Sequence, residues 1–249
     1  MTDRDSCLVQ KLSHYVVLEE RSRNLIKDLE RDKRHYQKGD EVHGPDTPND
    51  ELYVVSHGWL YSYTGLPDGR RQIVRIHHPG DVIGFMGVPY QQRIVGLHAC
   101  EDVTVCPFPA RALGTIFEQS PQLTSLFYML SAREHVCLLD TLCAMGRMSA
   151  RERIAFLLMQ LLVRLRVGES GGRLRTSIRM PLNQTEIADA VGLTNVYVSR
   201  TMQMMEEEGY IARQGDRISI LRERELANTI DFEDRYLEID TSWFPHTDA

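Results

Sequence analysis

The sequence predicts an α+β chain: an N-terminal jelly-roll β-barrel, one long helix, and a C-terminal helix-turn-helix followed by a hairpin wing. Three observations predict it. Short β-rich runs recur between turn residues from Tyr36 to about Arg111. Between Pro121 and Gly146 apolar residues return every three or four positions with no intervening Gly or Pro. A cap, helix, glycine, cap, helix pattern occupies residues 183–207. The divisions that follow are 1–120 for the β-roll with its leading helices, 121–147 for the long helix, 148–230 for the winged helix-turn-helix and 231–249 for an acidic tail.

The chain of 249 residues is 42% hydrophobic, enough for two modest cores. Its formal charge of −6 is unevenly spread. Residues 146–230 hold 13 arginines and no lysine against ten carboxylates, whereas the tail holds one arginine against six. Guanidinium forks match phosphates and guanine edges at two points. The opening MTDRDSCLVQ has no long apolar run, and no stretch has the length of a membrane span. A cytoplasmic protein with no membrane partner is expected. The five cysteines, Cys7, Cys100, Cys106, Cys137 and Cys143, are odd in number and contain no C-x-x-C. That argues against a disulfide framework and against structural zinc or any other metal centre.

In order along the chain, residues 8–35 are polar with scattered leucines and predict helical turns. Runs such as Leu52–Val55, Trp59–Tyr63 and Gln72–Ile76 predict strands. Gly39-Asp40, His57-Gly58, Pro67-Asp68-Gly69 and Pro79-Gly80-Asp81 separate them, the third being a hairpin turn. Strands this short and evenly spaced suit a jelly roll. A long helix after such a roll needs something to cover it. Leu123, Phe127, Leu130, Cys137 and Thr141 are expected to form a dimerisation seam. Packing against the chain's own barrel is the alternative, and Arg133 or Glu134 interrupts the heptad. Ser149, with Glu152 three residues on, predicts a capping box. Ile154, Leu157, Leu158, Leu161, Leu162 and Leu165 give the next helix its apolar face. Gly168–Gly172 reads as a surface loop.

The most informative stretch begins at Asn183, which can cap a helix from Gln184. Ile187, Ala188 and Val191 form its apolar face, and Gly192 stops it in the left-handed conformation. Thr194 caps a second helix to about Glu207, with Val198, Met202 and Met205 inward. Small residues at the crossing, Gly at the bend and Leu193 just beyond it are what a helix-turn-helix requires. An ordinary helical hairpin is the alternative. Asn195, Val196, Tyr197, Ser199 and Arg200 then lie on the half of the second helix that enters a major groove. Arg200 suits guanine, Asn195 suits adenine or phosphate, and Gln184, Thr185, Thr194 and Tyr197 are placed for the backbone. Ala212–Ile220 is a hairpin with Gly215 at its tip, flanked by Arg213 and Arg217 within reach of phosphate.

Over residues 35–225 the sequence resembles the cyclic AMP receptor protein/fumarate-nitrate-reduction (Crp/Fnr) regulator family. The resemblance rests on Gly39-Asp40, Leu52–Val55 with Gly58, Pro79-Gly80-Asp81 with Gly84, the long helix, and Gln184–Arg200. It implies a cyclic-nucleotide-binding-like roll and a homodimeric transcription regulator that reads a palindromic DNA site and acts on RNA polymerase. It also implies an effector pocket around Gly84, Phe85, Arg93 and Ile94. In cyclic-AMP-binding members Gly-Glu opens the phosphate cassette and Arg-Ser closes it. Here Phe85 and Ile94 replace the Glu and the Ser, so no tight cyclic AMP binding is expected, and Arg93 is expected to pair with a nearby carboxylate. Cys7 stands alone where oxygen-sensing members cluster cysteines, so no iron–sulfur cluster is expected. Val196 replaces a Glu common on the recognition helix and predicts a different base at that position.

His57, His77, His78 and His98 leave open a haem or other small-molecule sensing module, against the alternative of ordinary strand and turn residues, and Cys137 and Cys143 leave open a redox switch, against that of small apolar packing residues. No cofactor is otherwise expected. No G-x-S-x-G, P-loop or H-E-x-x-H occurs, so no enzyme is expected. Trp243-Phe244-Pro245 is expected to dock the tail on a domain.

Overall fold

The computed structural model describes residues 6–167 and 175–245. The loop expected at 168–172 lies outside the described residues. The chain divides into two compact units, one drawn from Met1–Thr64, Val74–His135 and Ile239–Ala249, the other from Gly65–Ile73 and Val136–Glu238.

In the first unit, Ser6 starts α1 (Cys7–Leu12) by accepting a hydrogen bond from Val9 N at 3.0 Å. Helix α2 (Glu20–Leu29) follows. Strands β1 (Arg34–Tyr36), β2 (Glu41–His43), β3 (Glu51–His57), β4 (Leu60–Gly65), β5 (Arg71–His77), β6 (Val82–Ile83), β7 (Gly96–Ala99) and β8 (Val103–Pro109) build the roll. They form two four-stranded sheets, β1-β8-β3-β6 and β2-β7-β4-β5. Strand β3 is buried on both faces. Alternation sends Tyr53 and Val55 into the roll with Leu60, Leu97 and Val105. It sends Leu52 and Val54 the other way, onto Leu8, Leu12, Ile26, Phe108, Ile116 and Phe127. Fully burying each such side chain contributes about 1.5–3 kcal/mol. Helix α1 also docks by charge: Lys11 and Asp81 pair with 5% exposure each, and Asp81 accepts from His78 N at 3.0 Å.

Helix α3 (Ala112–Gln119) leads into α4 (Pro121–Arg147), close to the expected span. The expected seam is corrected. Leu123, Phe127 and Leu130 lie in the first unit's own core, at 0%, 2% and 4% exposure. Cys137 packs on Val163 and Tyr236, and Thr141 donates its hydroxyl to Cys137 O at 2.8 Å. Leu123, Phe127, Leu130 and Cys137 cannot face a partner because their own chain covers them, and Thr141 is half-buried beside them. Besides Pro121, Cys143 and Arg147, the exposed positions of α4 are Tyr128, Ala132, His135, Leu139, Leu142 and Gly146. Their spacing alternates four and three, a heptad without interruption.

In the second unit, Ser149 and Glu152 make the expected capping box at the start of α5 (Ala150–Arg166). This helix is buried nearly all round, with Ile154, Leu158, Leu161 and Leu162 at 1% exposure or less. Near its end Arg166 grips Glu223 with two 2.7 Å bonds and thereby anchors α8 (Glu223–Thr229). Strand β9 (Ser177–Arg179) precedes α6 (Gln184–Val191) and α7 (Asn195–Glu207). Strands β10 (Ile211–Gln214) and β11 (Arg217–Ile220) complete a three-stranded sheet, order β10-β11-β9. Tyr236, from the tail, is fully buried; its hydroxyl donates to Asp140 Oδ2 at 3.0 Å and accepts from Gln160 Nε2 at 3.3 Å.

Candidate nucleic-acid interface

The interface is assembled by local caps. Asn183 Oδ1 accepts from Glu186 N at 3.0 Å, and the Glu186 carboxylate accepts from Asn183 N at 2.8 Å. This box starts α6 and leaves Gln184 and Thr185 exposed beside it. Ile187, Ala188 and Val191 are buried beneath. Gly192 ends the helix at φ 65°, and a Cβ there would stand 2.9 Å from Met145 Cε. Backbone conformation therefore favours glycine, while the Met145 methyl, the far end of a flexible side chain, could move aside. Thr194 then caps α7, accepting from Tyr197 N at 3.4 Å. Val198, Thr201, Met202 and Met205 form the buried face of α7.

What remains outside is the expected reading face. Val196 and Tyr197 are each 60% exposed, Asn195 and Arg200 are exposed, and Ser199 is half-buried. Asn195 Nδ2 donates to Thr185 Oγ1 at 2.9 Å, so two expected DNA contacts steady each other at the adjoining ends of α6 and α7. Gln203, two turns beyond Val196 and one beyond Arg200, shares the exposed face and was not singled out from sequence; helical spacing from Val196 is the signal that finds it. On the wing, Gly215 turns the hairpin at φ 61°. Arg213 is exposed and forms a surface ion pair. Its Nε and Nη2 donate to Glu206 at 3.0 and 2.8 Å, and these bonds hold the Glu206 carboxyl below its ordinary range. Arg217 is exposed, and its Nη1 donates to Ser177 Oγ at 2.8 Å.

The expected effector residues sit in the roll. Gly84 turns the chain at φ 114°, with Leu52 Cγ 3.2 Å from where a Cβ would stand. Phe85 points into the helix cluster and meets Phe127 edge-on, ring centres 5.3 Å apart. Ile94 is 45% exposed. Arg93 is buried, but the expected carboxylate pairing is corrected. Its guanidinium donates to Pro48 O at 3.1 Å, Glu51 O at 3.3 Å and Tyr53 Oη at 3.2 Å. Backbone carbonyls satisfy the cation because the chain from Pro48 to Tyr53 wraps it. His43 stacks on Tyr53, and burial together with the charge of Arg93 pushes its imidazole down to about 4. A cyclic nucleotide does not fit these residues: the carboxylate position is a half-buried phenylalanine packed on the helix cluster, and the arginine is already bonded to the protein. Of the four histidines singled out from sequence, His57 is exposed and His98 stacks on Tyr61, ring centres 5.0 Å apart. His77 Nε2 bonds Ser62 Oγ at 2.8 Å, and His78 lies against Asp81.

A winged helix-turn-helix with an exposed reading face, on a chain that also carries a β-roll, defines a DNA-binding transcription regulator. A Crp-like helix-turn-helix domain model matches residues 152–229, and a cyclic nucleotide-binding domain model matches residues 33–120. The nitrogen fixation regulation protein FixK of Bradyrhizobium diazoefficiens is 33% identical over 192 residues, 75% of this chain and 77% of that protein. FixK of Rhizobium meliloti is 34% identical over 194 residues, covering 77% and 83%. Among solved structures, FixK2 from Bradyrhizobium japonicum superposes with a TM-score of 0.70 at 27% identity, over 79% of this chain and 96% of that one. The chain belongs to the Crp/Fnr family of transcription regulators.

Proposed function

We propose that the protein works as a homodimer on a two-fold symmetric DNA site, with one α7 in each of two successive major grooves and RNA polymerase as its downstream partner. The observation that carries this reading is the joint exposure of Val196, Tyr197 and Arg200 on one face of a helix whose other face is buried. Arg200 reads a guanine by its fork. Val196 offers a methyl-sized apolar contact for thymine where an acid would accept from cytosine. The heptad of Tyr128, Ala132, His135, Leu139, Leu142 and Gly146 supplies the dimer seam.

The second part of the proposal concerns the signal. The regulator is not switched by cyclic AMP and carries no iron–sulfur cluster. Phe85 packed on Phe127 and Arg93 bonded to two carbonyls and a phenol support the first statement. Cys7, placed at the start of α1 with its thiol donating to Ser56 O at 3.1 Å, supports the second. An effector of another kind remains compatible with the roll, and no catalytic role is assigned. No described helix is long and apolar enough to cross a membrane, and the proposed site of action is the cytoplasm.

Selection of bound sequences from a random pool, followed by footprinting at several salt concentrations, tests the proposal. A palindrome with a guanine in each half-site, protected in a strongly salt-dependent way, is expected. Binding with no sequence preference would refute it, as would recovery of unrepeated half-sites alone.

A further inference from the structure

The acidic tail continues beyond the matched helix-turn-helix domain, which ends at residue 229. Its last described turn is built to hold an aromatic ring in place. Phe244 N bonds Thr241 O at 3.0 Å, and Ser242 N bonds Asp240 Oδ1 at 2.8 Å. Phe244 and Ile239 are set in the apolar cluster that also holds Leu123 and Phe127. Between these anchors Trp243 stays outside, 49% exposed. Its indole N–H is already satisfied, donating to Asp240 O at 2.9 Å. What it leaves to solvent is therefore hydrocarbon with no polar group in need of water. Phe244 braces it at 4.6 Å, and its ring meets Tyr128 edge-on at 5.9 Å and 80°. Tyr128 is 68% exposed and is the first residue of the uncovered α4 heptad.

We infer that Trp243 is an interprotomer residue: with Tyr128 it extends the α4 seam and is covered by a second copy of this chain. The inference rests on the seam reading given above. Three features favour a second copy over another occupant. The pair is continuous with a heptad that is suited to self-association. The ring is held before any partner arrives, so its burial forfeits little conformational freedom. The one polar group of the ring, its indole N–H, is already satisfied within the chain. An aromatic side chain buries about 150–250 Å² when covered, so losing Trp243 should weaken dimerisation by roughly tenfold.

The test uses the full chain. Sedimentation across a concentration series gives the dimer dissociation constant for the wild type, Trp243→Ala and Leu139→Asp. Emission of a Trp59→Phe variant isolates the tail indole; should that variant fold poorly, the difference between wild type and Trp243→Phe gives the same signal. The expected result has three parts. Leu139→Asp is monomeric, Trp243→Ala dissociates at about tenfold higher concentration, and the tail indole shifts to the blue as dimers form. If Leu139→Asp is monomeric while Trp243→Ala dimerises like wild type and the indole emission ignores concentration, the tail inference is overturned and the seam stands. If Leu139→Asp remains dimeric, the seam itself is wrong and the inference falls with it.

Discussion

Lys11→Met isolates one interaction whose magnitude can be worked out. Lys11 and Asp81 are each 5% exposed, and both lie in the first unit. Removing the ammonium keeps most of the aliphatic stem and leaves Asp81 buried with its bond from His78 N. Breaking a buried pair from one side costs about 3–5 kcal/mol, because the remaining charge is not rehydrated. Set against a stability of about 5–15 kcal/mol for an ordinary domain, that is a large fraction. The exposed pair Arg31–Asp28, at 73% and 61% exposure, is the control; Arg31→Ala should cost no more than about 0.5 kcal/mol. Urea unfolding followed by tryptophan emission suits the measurement, since the Trp59 ring lies 6.0 Å from that of His78. The midpoint should fall sharply for Lys11→Met. The double variant Lys11→Met/Asp81→Leu should recover most of the loss, because no charge is left stranded. If Lys11→Met costs less than about 1 kcal/mol and the double variant is no better, the buried-pair reasoning is wrong.

Gly192→Ala should cost about 1–2 kcal/mol from the left-handed φ alone and should weaken DNA binding more than it lowers secondary structure, as gel shift and circular dichroism together would reveal. Arg200→Ala should lose about 1–3 kcal/mol per half-site and relax choice at one base, and Val196→Glu should move the preference at its own position towards cytosine; selected pools read both. His43 is held neutral, with its folded value near 4 below an unfolded value near 6.5. The unfolded chain therefore binds the extra proton first, and stability is lost as pH falls from about 6.5 to 4, by about 1–2 kcal/mol after allowance for partial exposure. His43→Leu should flatten that part of the stability–pH curve.

The helix-turn-helix was legible because each of its signals acts over a few residues. Asn183 and Glu186, Gly192, and Thr194 with Tyr197 state their hydrogen bonds in their spacing. The loss of the cyclic-nucleotide pair was legible too, at Phe85 and Ile94. The fate of Arg93 was not, because its acceptors are backbone carbonyls of Pro48 and Glu51, which carry no signature of residue type. The pairing of Arg213 with Glu206 was not legible for a related reason: it crosses the turn from α7 into the wing, where no fixed spacing applies. The seam was misassigned because α4 carries two apolar stripes. The richer one goes to the chain's own core first, and the poorer one is left outside. What covers Cys137 is Tyr236, from the far end of the chain.

Strand β3 has a consequence for how this protein can vary. Leu52 and Val54 belong to the helix cluster, while Tyr53 and Val55 belong to the roll interior. Most strands at a surface keep one side on which substitutions pass unnoticed; this one has none. A lineage altering the roll to suit a new signal must leave four consecutive residues almost untouched, or change both cores together. Diversification is therefore steered to the neighbouring turns and to the recognition helix, where Val196 and Tyr197 can change without asking permission of any core.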